Sequence, residues 1–119
     1  MNYRKTTLCE ALREYENFQH RLNQFLDDFY SSDKASKEML LKEPPQTDDL
    51  KMLAMADAIA TILEKKYKLK RLDWNRKYAL NRAWFVISLE KLKPTLILQS
   101  PGEFRCRNIF VPLNYLDRK

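Results

Sequence analysis

From Tyr3 to Ser31 the apolar side chains recur at Leu8, Leu12, Tyr15, Phe18, Leu22, Phe25, Leu26 and Phe29. Steps of three and four place them on one helical face, and Glu10, Arg13, Glu14, Glu16, Arg21 and Asp27 fall mostly off it. The pattern predicts one amphipathic helix of ~27 residues, ~40 Å long, spanning the domain from end to end. A second helix is expected to start at Thr47 as N-cap, with Asp48 and Asp49 in the first turn where the dipole favours acids. It runs to about Tyr67 through Leu50, Leu53, Ala54, Ala56, Ile59, Ala60, Ile62 and Leu63. Its apolar arc is broad and rich in alanine, as suits a central, most buried helix.

The remaining pattern is shorter. Ser31-Ser32-Asp33 and Pro44-Pro45 punctuate the chain on either side of Lys34 to Glu43, a short helix or an ordered loop. Periodicity weakens after Lys65. Trp84-Phe85-Val86-Ile87 forms a dense apolar cluster expected to pack on the central helix. Leu89 to Gln99 reads as a further helix, with Pro94 in its first turn, because an interior proline would break it. Phe104 to Val111 reads as a short extended piece, and Leu113 to Asp117 as a short terminal helix.

Composition reinforces this picture. The chain has 119 residues, 45% of them hydrophobic, which suits one domain over 1–119 with a core of its own. Gly102 is the only glycine. Tight turns, hairpins and phosphate-cradling loops favour a residue at ease with positive φ, so its scarcity argues against β-rich and dinucleotide-binding folds. The expected fold class is therefore all-α: a small helical bundle with two long amphipathic helices, C-terminal short helices and at most one short extended segment. Cys9 and Cys106 stand apart, without the ligand spacing of a metal site, and read as two reduced thiols. No signal-like apolar stretch opens the chain, and no run approaches the ~20 residues that cross a bilayer. A cytoplasmic protein that avoids membranes is the expectation.

Charge singles out one region. Eight basic residues lie between Lys65 and Arg82 against the one acid Asp73, whereas the rest of the chain holds 14 basic and 15 acidic residues. Tyr67, Trp74 and Tyr78 are interleaved with these cations. Three readings stay open: rings stacking on bases while cations meet phosphates, a docking surface for an acidic protein, or a solvated helix end with its rings tucked into the core. Catalytic signals are weak by comparison. His20 is the one histidine, and neither cysteine has an activating neighbour. The acid pairs Asp27-Asp28 and Asp48-Asp49 splay by about 100° on a helix. The chain is accordingly read as no enzyme, with no cofactor and no metal.

Arg105 and Arg107 lie two apart. In an extended segment they would point the same way, a pair suited to phosphate or carboxylate. The internal alternative has them clamping helix C-termini or pairing with the acids of the first helix. Together with Lys66, Lys70, Arg71, Trp74, Arg76 and Lys77 they make up the candidate contact set for a protein partner or a nucleic acid.

Three stretches resemble a known pattern: Leu72-Asp73-Trp74; Ala83-Trp84-Phe85; and Ser100-Pro101-Gly102-Glu103-Phe104-Arg105-Cys106-Arg107-Asn108-Ile109-Phe110-Val111, followed by Leu116 and Arg118. They are similar to a widespread bacterial family with a Pro-Trp-Phe-like element and an ending of the type Ser-Pro-x-x-Phe-Arg-x-Arg-Asn-Ile/Leu-Phe-Val. In that family, related segments follow a helix-turn-helix in proteins encoded beside nucleotidyltransferase-like genes, an arrangement resembling toxin–antitoxin modules. The resemblance covers roughly the last 50 residues well and implies an antitoxin-like partner of a nucleotidyltransferase-type protein. Two departures stand out. Ala83 replaces the proline, and Pro44-Pro45 occupies the place of a tight helix-turn-helix turn, so operator binding is not implied. The leading expectation is a non-enzymatic protein-interaction domain; the alternative is a nucleic-acid-binding module using segment 65–82. Long amphipathic helices also leave a homodimer open.

Overall fold

A computed structural model describes residues 5–70, 74, 78–87 and 93–118. Among them the elements run α1 (Leu8–Ala11), α2 (Phe18–Tyr30), α3 (Lys34–Leu40), α4 (Leu50–Lys66), β1 (Trp84–Phe85), α5 (Lys93–Gln99), α6 (Gly102–Arg105) and β2 (Ile109–Phe110). The domain is mostly helical, as expected, and measures 45 × 29 × 28 Å.

The predicted N-terminal helix is two helices. Thr7 opens α1 with a capping box: its hydroxyl accepts from the Glu10 N–H, and the Glu10 carboxylate accepts from the Thr7 N–H. The chain then leaves helical geometry, and α2 begins after Asn17, which sits at φ 60°. Asparagine is one of the few side chains that tolerates this left-handed region. Arg21 bridges the break, donating to the carbonyls of Ala11 and Glu14 that α1 leaves unsatisfied. The apolar stripe survives it: Leu8, Leu12, Phe18, Leu22, Phe25, Leu26 and Phe29 are all buried, and only Tyr15 turns outward. Periodicity thus reported which side faces the core, but not the six-residue break from Leu12 to Asn17 between the two helices.

The second helix matches expectation more closely. Its start is two residues later than predicted, because Asp49 is the cap, its carboxylate accepting from Lys51 N–H at 2.9 Å. Thr47 instead accepts from the Asp49 N–H. Eleven of the 17 residues of α4 are buried, including Asp57, Thr61 and Glu64, so it is the central helix. α3 resolves the open reading of Lys34 to Glu43 as a helix, capped by Asp33.

The C-terminal region wraps this bundle. β1 and β2 pair in parallel, with Trp84 opposite Ile109 and Phe85 opposite Phe110. Extended structure is confined to Ile109–Phe110 on this side, since Phe104 and Arg105 lie in α6. On the far edge of β2 the Ser100 hydroxyl takes the place of a neighbouring strand: it donates to Ile109 C=O and accepts from Val111 N–H, both at 3.2 Å. Trp84 is buried against Phe18, with ring centroids 5.8 Å apart. Pro94 lies in the first turn of α5 as expected, although the predicted start at Leu89 lies outside the described residues. Leu113 to Asp117 forms turns rather than a helix, closed by Tyr115 N–H to Pro112 C=O and Asp117 N–H to Asn114 C=O.

Candidate partner-binding face

The centre of the predicted contact set is the C-terminal end of α4. Its termination follows a Schellman pattern: Leu69 N–H donates to Glu64 C=O at 2.9 Å, and Lys68 N–H to Lys65 C=O at 3.4 Å. The residue between, Lys68, sits at φ 54°. That position normally holds glycine, because a Cβ in the left-handed region costs about 1–2 kcal/mol. A lysine held there projects a cation from the tip of the helix, and Leu69 turns back into the core.

Around this tip three helices contribute rings and cations. Tyr67, the C-cap, lies edge-on to Phe29 at 5.5 Å and 6.1 Å from Tyr30, both at the end of α2. Lys66 stands 5.9 Å from the Tyr30 ring centre and 5.6 Å from that of Tyr67. Lys37, from α3, approaches Tyr67 from its Phe29 side, 5.1 Å from the ring, and donates to Ser32 C=O. Lys70 follows, its backbone N–H held by the Glu38 carboxylate at 2.8 Å. Lys66, Lys68 and Lys70 form no ion pair among the described residues. Lys65, by contrast, meets Glu103 at 3.7 Å.

An open cleft of about 880 Å³ borders this face, lined by Asp27, Tyr30, Ser31, Lys66, Tyr67, Asn114, Asp117 and Arg118. Arg118 donates to both oxygens of Asp27 at 2.9 and 3.2 Å, tying the C-terminal turn to α2. That hydrogen bond holds the Asp27 carboxyl below its ordinary range. Tyr30 donates its hydroxyl to Leu116 C=O at 2.8 Å, and burial pushes its pKa up to about 12, with the nearby Tyr67 and Asp117 adding to the rise. It is therefore a fixed, neutral phenol and no base.

The other candidates separate sharply. Arg71, Arg76 and Lys77 lie outside the described residues. Trp74 is turned inward: its Nε1 donates to Leu41 C=O at 3.2 Å and Lys42 C=O at 3.1 Å, and its ring packs on the core. Arg105 is exposed on α6, but Arg107 is buried. The guanidinium of Arg107 pairs with the fully buried Asp57 of α4 at 3.1 Å and also donates to Glu103 C=O and to the Cys106 sulfur. The same Asp57 carboxylate accepts from Tyr78 N–H at 3.0 Å. The expectation that Arg105 and Arg107 point the same way is corrected, because the segment is a helical turn there and not a strand. The internal alternative holds for Arg107, with a partner on the central helix and not on the first. Lys37 was missed by sequence reasoning: it reaches the face through the packing of α3 on α2, which no local pattern encodes.

No family model matches this chain, and no curated protein or solved structure matches it either.

Other chemistry is sparse. His20 is exposed in a shallow cleft with Thr6, Glu10, Arg13, Glu14, Arg21 and Gln24, and neither cysteine lines it. Cys9 and Cys106 are both free thiols. Among the described residues no group of three or more His, Cys, Asp or Glu could hold a metal ion, and no helix is long and apolar enough to cross a membrane.

Proposed function

We propose that this chain is a non-enzymatic protein-interaction domain that receives an acidic partner surface on the cationic face around Tyr67. One observation carries the reading: Lys66, Lys68 and Lys70 crowd one helix end with no ion pair among the described residues, while Lys65 and Arg118 at its margins are paired. Like charges gathered at one helix end raise the local potential, and an acidic surface relieves it while steering encounter. The rings beneath Lys66 and Lys37 add flat apolar area of the kind that anchors interfaces. The family resemblance of segment 100–118 supports an antitoxin-like role, with a nucleotidyltransferase-type protein as partner.

Co-purification with the product of an adjacent gene, followed by calorimetric titration, tests the reading. The wild-type chain is expected to form the complex and Lys66→Glu/Lys70→Glu to lose it. A complex that forms equally well with the charge-reversed chain, or a preparation that carries bound oligonucleotide in place of protein, would overturn it. The inward Trp74 weighs against the nucleic-acid alternative, since its ring is engaged with the core and not free to stack on a base.

A further inference from the structure

Resting on that reading, we infer that Lys68 is the residue on which the acidic segment of the partner is seated, with Lys66 and Lys70 beside it. The inference starts from the backbone. Among the described residues, three other than glycine have positive φ: Asn17, Lys68 and Asn108. The two asparagines suit that region, and Asn108 gains a further hydrogen bond from its side chain to Leu80 C=O at 2.6 Å. Lys68 has neither compensation: it is exposed, its ammonium makes no hydrogen bond or ion pair among the described residues, and lysine has no special tolerance for left-handed geometry.

Helix-dipole stabilisation is a weak reason to keep it. Lys65 and Lys66 already fill the last turn with positive charge, so a third cation adds repulsion as well as attraction. A glycine would make the same turn without the strain, so a lysine there marks a residue kept for what it touches. The Schellman turn leaves Lys68 exposed at the tip, flanked in the chain by the exposed Lys66 and Lys70, so its cation is open to an approaching surface. Its charge selects carboxylate side chains, and its place beside Tyr67 favours an acidic segment that also carries an apolar residue.

The test uses the full chain and a fluorescein-labelled oligoglutamate peptide at low salt, with an oligothymidylate of equal charge as the second arm. Lys68→Gly is expected to weaken oligoglutamate binding about three- to tenfold while raising Tm by about 2–5 °C as the strain is relieved. Lys68→Arg, which keeps charge and strain, should bind within about twofold of wild type, and Arg13→Gln, an equal loss of charge elsewhere on the surface, should bind as wild type does. If Lys68→Gly leaves affinity unchanged, or if its Tm falls, this inference is overturned, while loss of binding in Lys66→Glu/Lys70→Glu would still uphold the broader reading. A wild-type chain that binds oligothymidylate and leaves oligoglutamate unbound overturns both.

Discussion

Replacing Arg107 by methionine removes one side of a fully enclosed ion pair and keeps the side-chain volume nearly constant. Asp57 is 0% exposed and Arg107 6% exposed, so neither group can recover its solvation by a small movement. The carboxylate would keep the Tyr78 N–H at 3.0 Å but lose its guanidinium at 3.1 Å. Removing one partner of a buried ion pair costs up to about 3–5 kcal/mol. A domain of this size has a total stability of about 5–15 kcal/mol, so the loss is a large share of it. It would also be local in origin, because Arg107 joins α6 and β2 to α4.

Urea unfolding followed in parallel by helical circular dichroism and tryptophan fluorescence measures this loss. Both indole rings, Trp74 and Trp84, lie in segments that dock on the bundle. Arg107→Met should lower the midpoint in both signals. Arg105→Met is the matched control: it removes an exposed arginine and should change stability by less than about 0.5 kcal/mol. Asp57→Leu/Arg107→Met removes the charge on both sides and should recover part of the single-variant loss, short by at least about 1–3 kcal/mol because the Tyr78 N–H loses its acceptor. Equal effects of Arg105→Met and Arg107→Met, or a cost below about 1 kcal/mol for the latter, would refute the reasoning that the pair is buried and mutually dependent.

Three further outcomes follow from particular residues. Gly102 is not at positive φ, and an added Cβ meets nothing within 4 Å; Gly102→Ala should therefore stabilise the domain by about 0.5–1 kcal/mol in the same unfolding assay, through helix propensity and a stiffer unfolded chain. Asn17 holds the left-handed angle that separates α1 from α2, so Asn17→Ala should cost about 1 kcal/mol and Asn17→Gly should cost nothing or stabilise. Tyr30 has a folded pKa of about 12 against an ordinary 10.0; its contribution to stability is complete below pH 10 and is lost as pH rises from 10 towards 12, because the unfolded chain then releases the proton first. Denaturant midpoints compared between wild type and Tyr30→Phe across that window should converge as pH rises, and a parallel decline in the two would show the phenol to be ordinary.

The sequence announced the core better than the connections. The Leu8-to-Phe29 stripe and the alanine-rich central helix were legible because burial has a period, and helical spacing exposes it. The break between α1 and α2 was not, because the six residues from Leu12 to Asn17 leave helical geometry without interrupting the stripe. Scarce glycine suggested few sharp turns, yet Asn17, Lys68 and Asn108 make them at positive φ. The charge excess after Lys65 was legible as composition, but its surface was not. Trp74 points inward and Lys37 joins from another helix, and both facts depend on tertiary packing.

The Ser-Pro-x-x-Phe-Arg-x-Arg-Asn-Ile-Phe-Val pattern takes on a different meaning once each residue is placed. Ser100 plugs the edge of β2, Phe104 is fully buried, and Arg107 holds Asp57. Asn108 makes the left-handed turn and binds Leu80 C=O; Ile109 and Val111 fill the core; Phe110 stacks on Phe85 at 5.0 Å. Between these residues, Gly102 and Cys106 are exposed and Glu103 is half-buried. Most of segment 100–111 is thus used in closing the C-terminal region onto the bundle, and a stretch used in this way specifies a fold before it specifies a ligand. Arg105, by contrast, is exposed. If the pattern carries recognition as well as architecture, Arg105 is where that recognition has room to act, while the cations whose placement the fold does not demand remain those of the α4 tip.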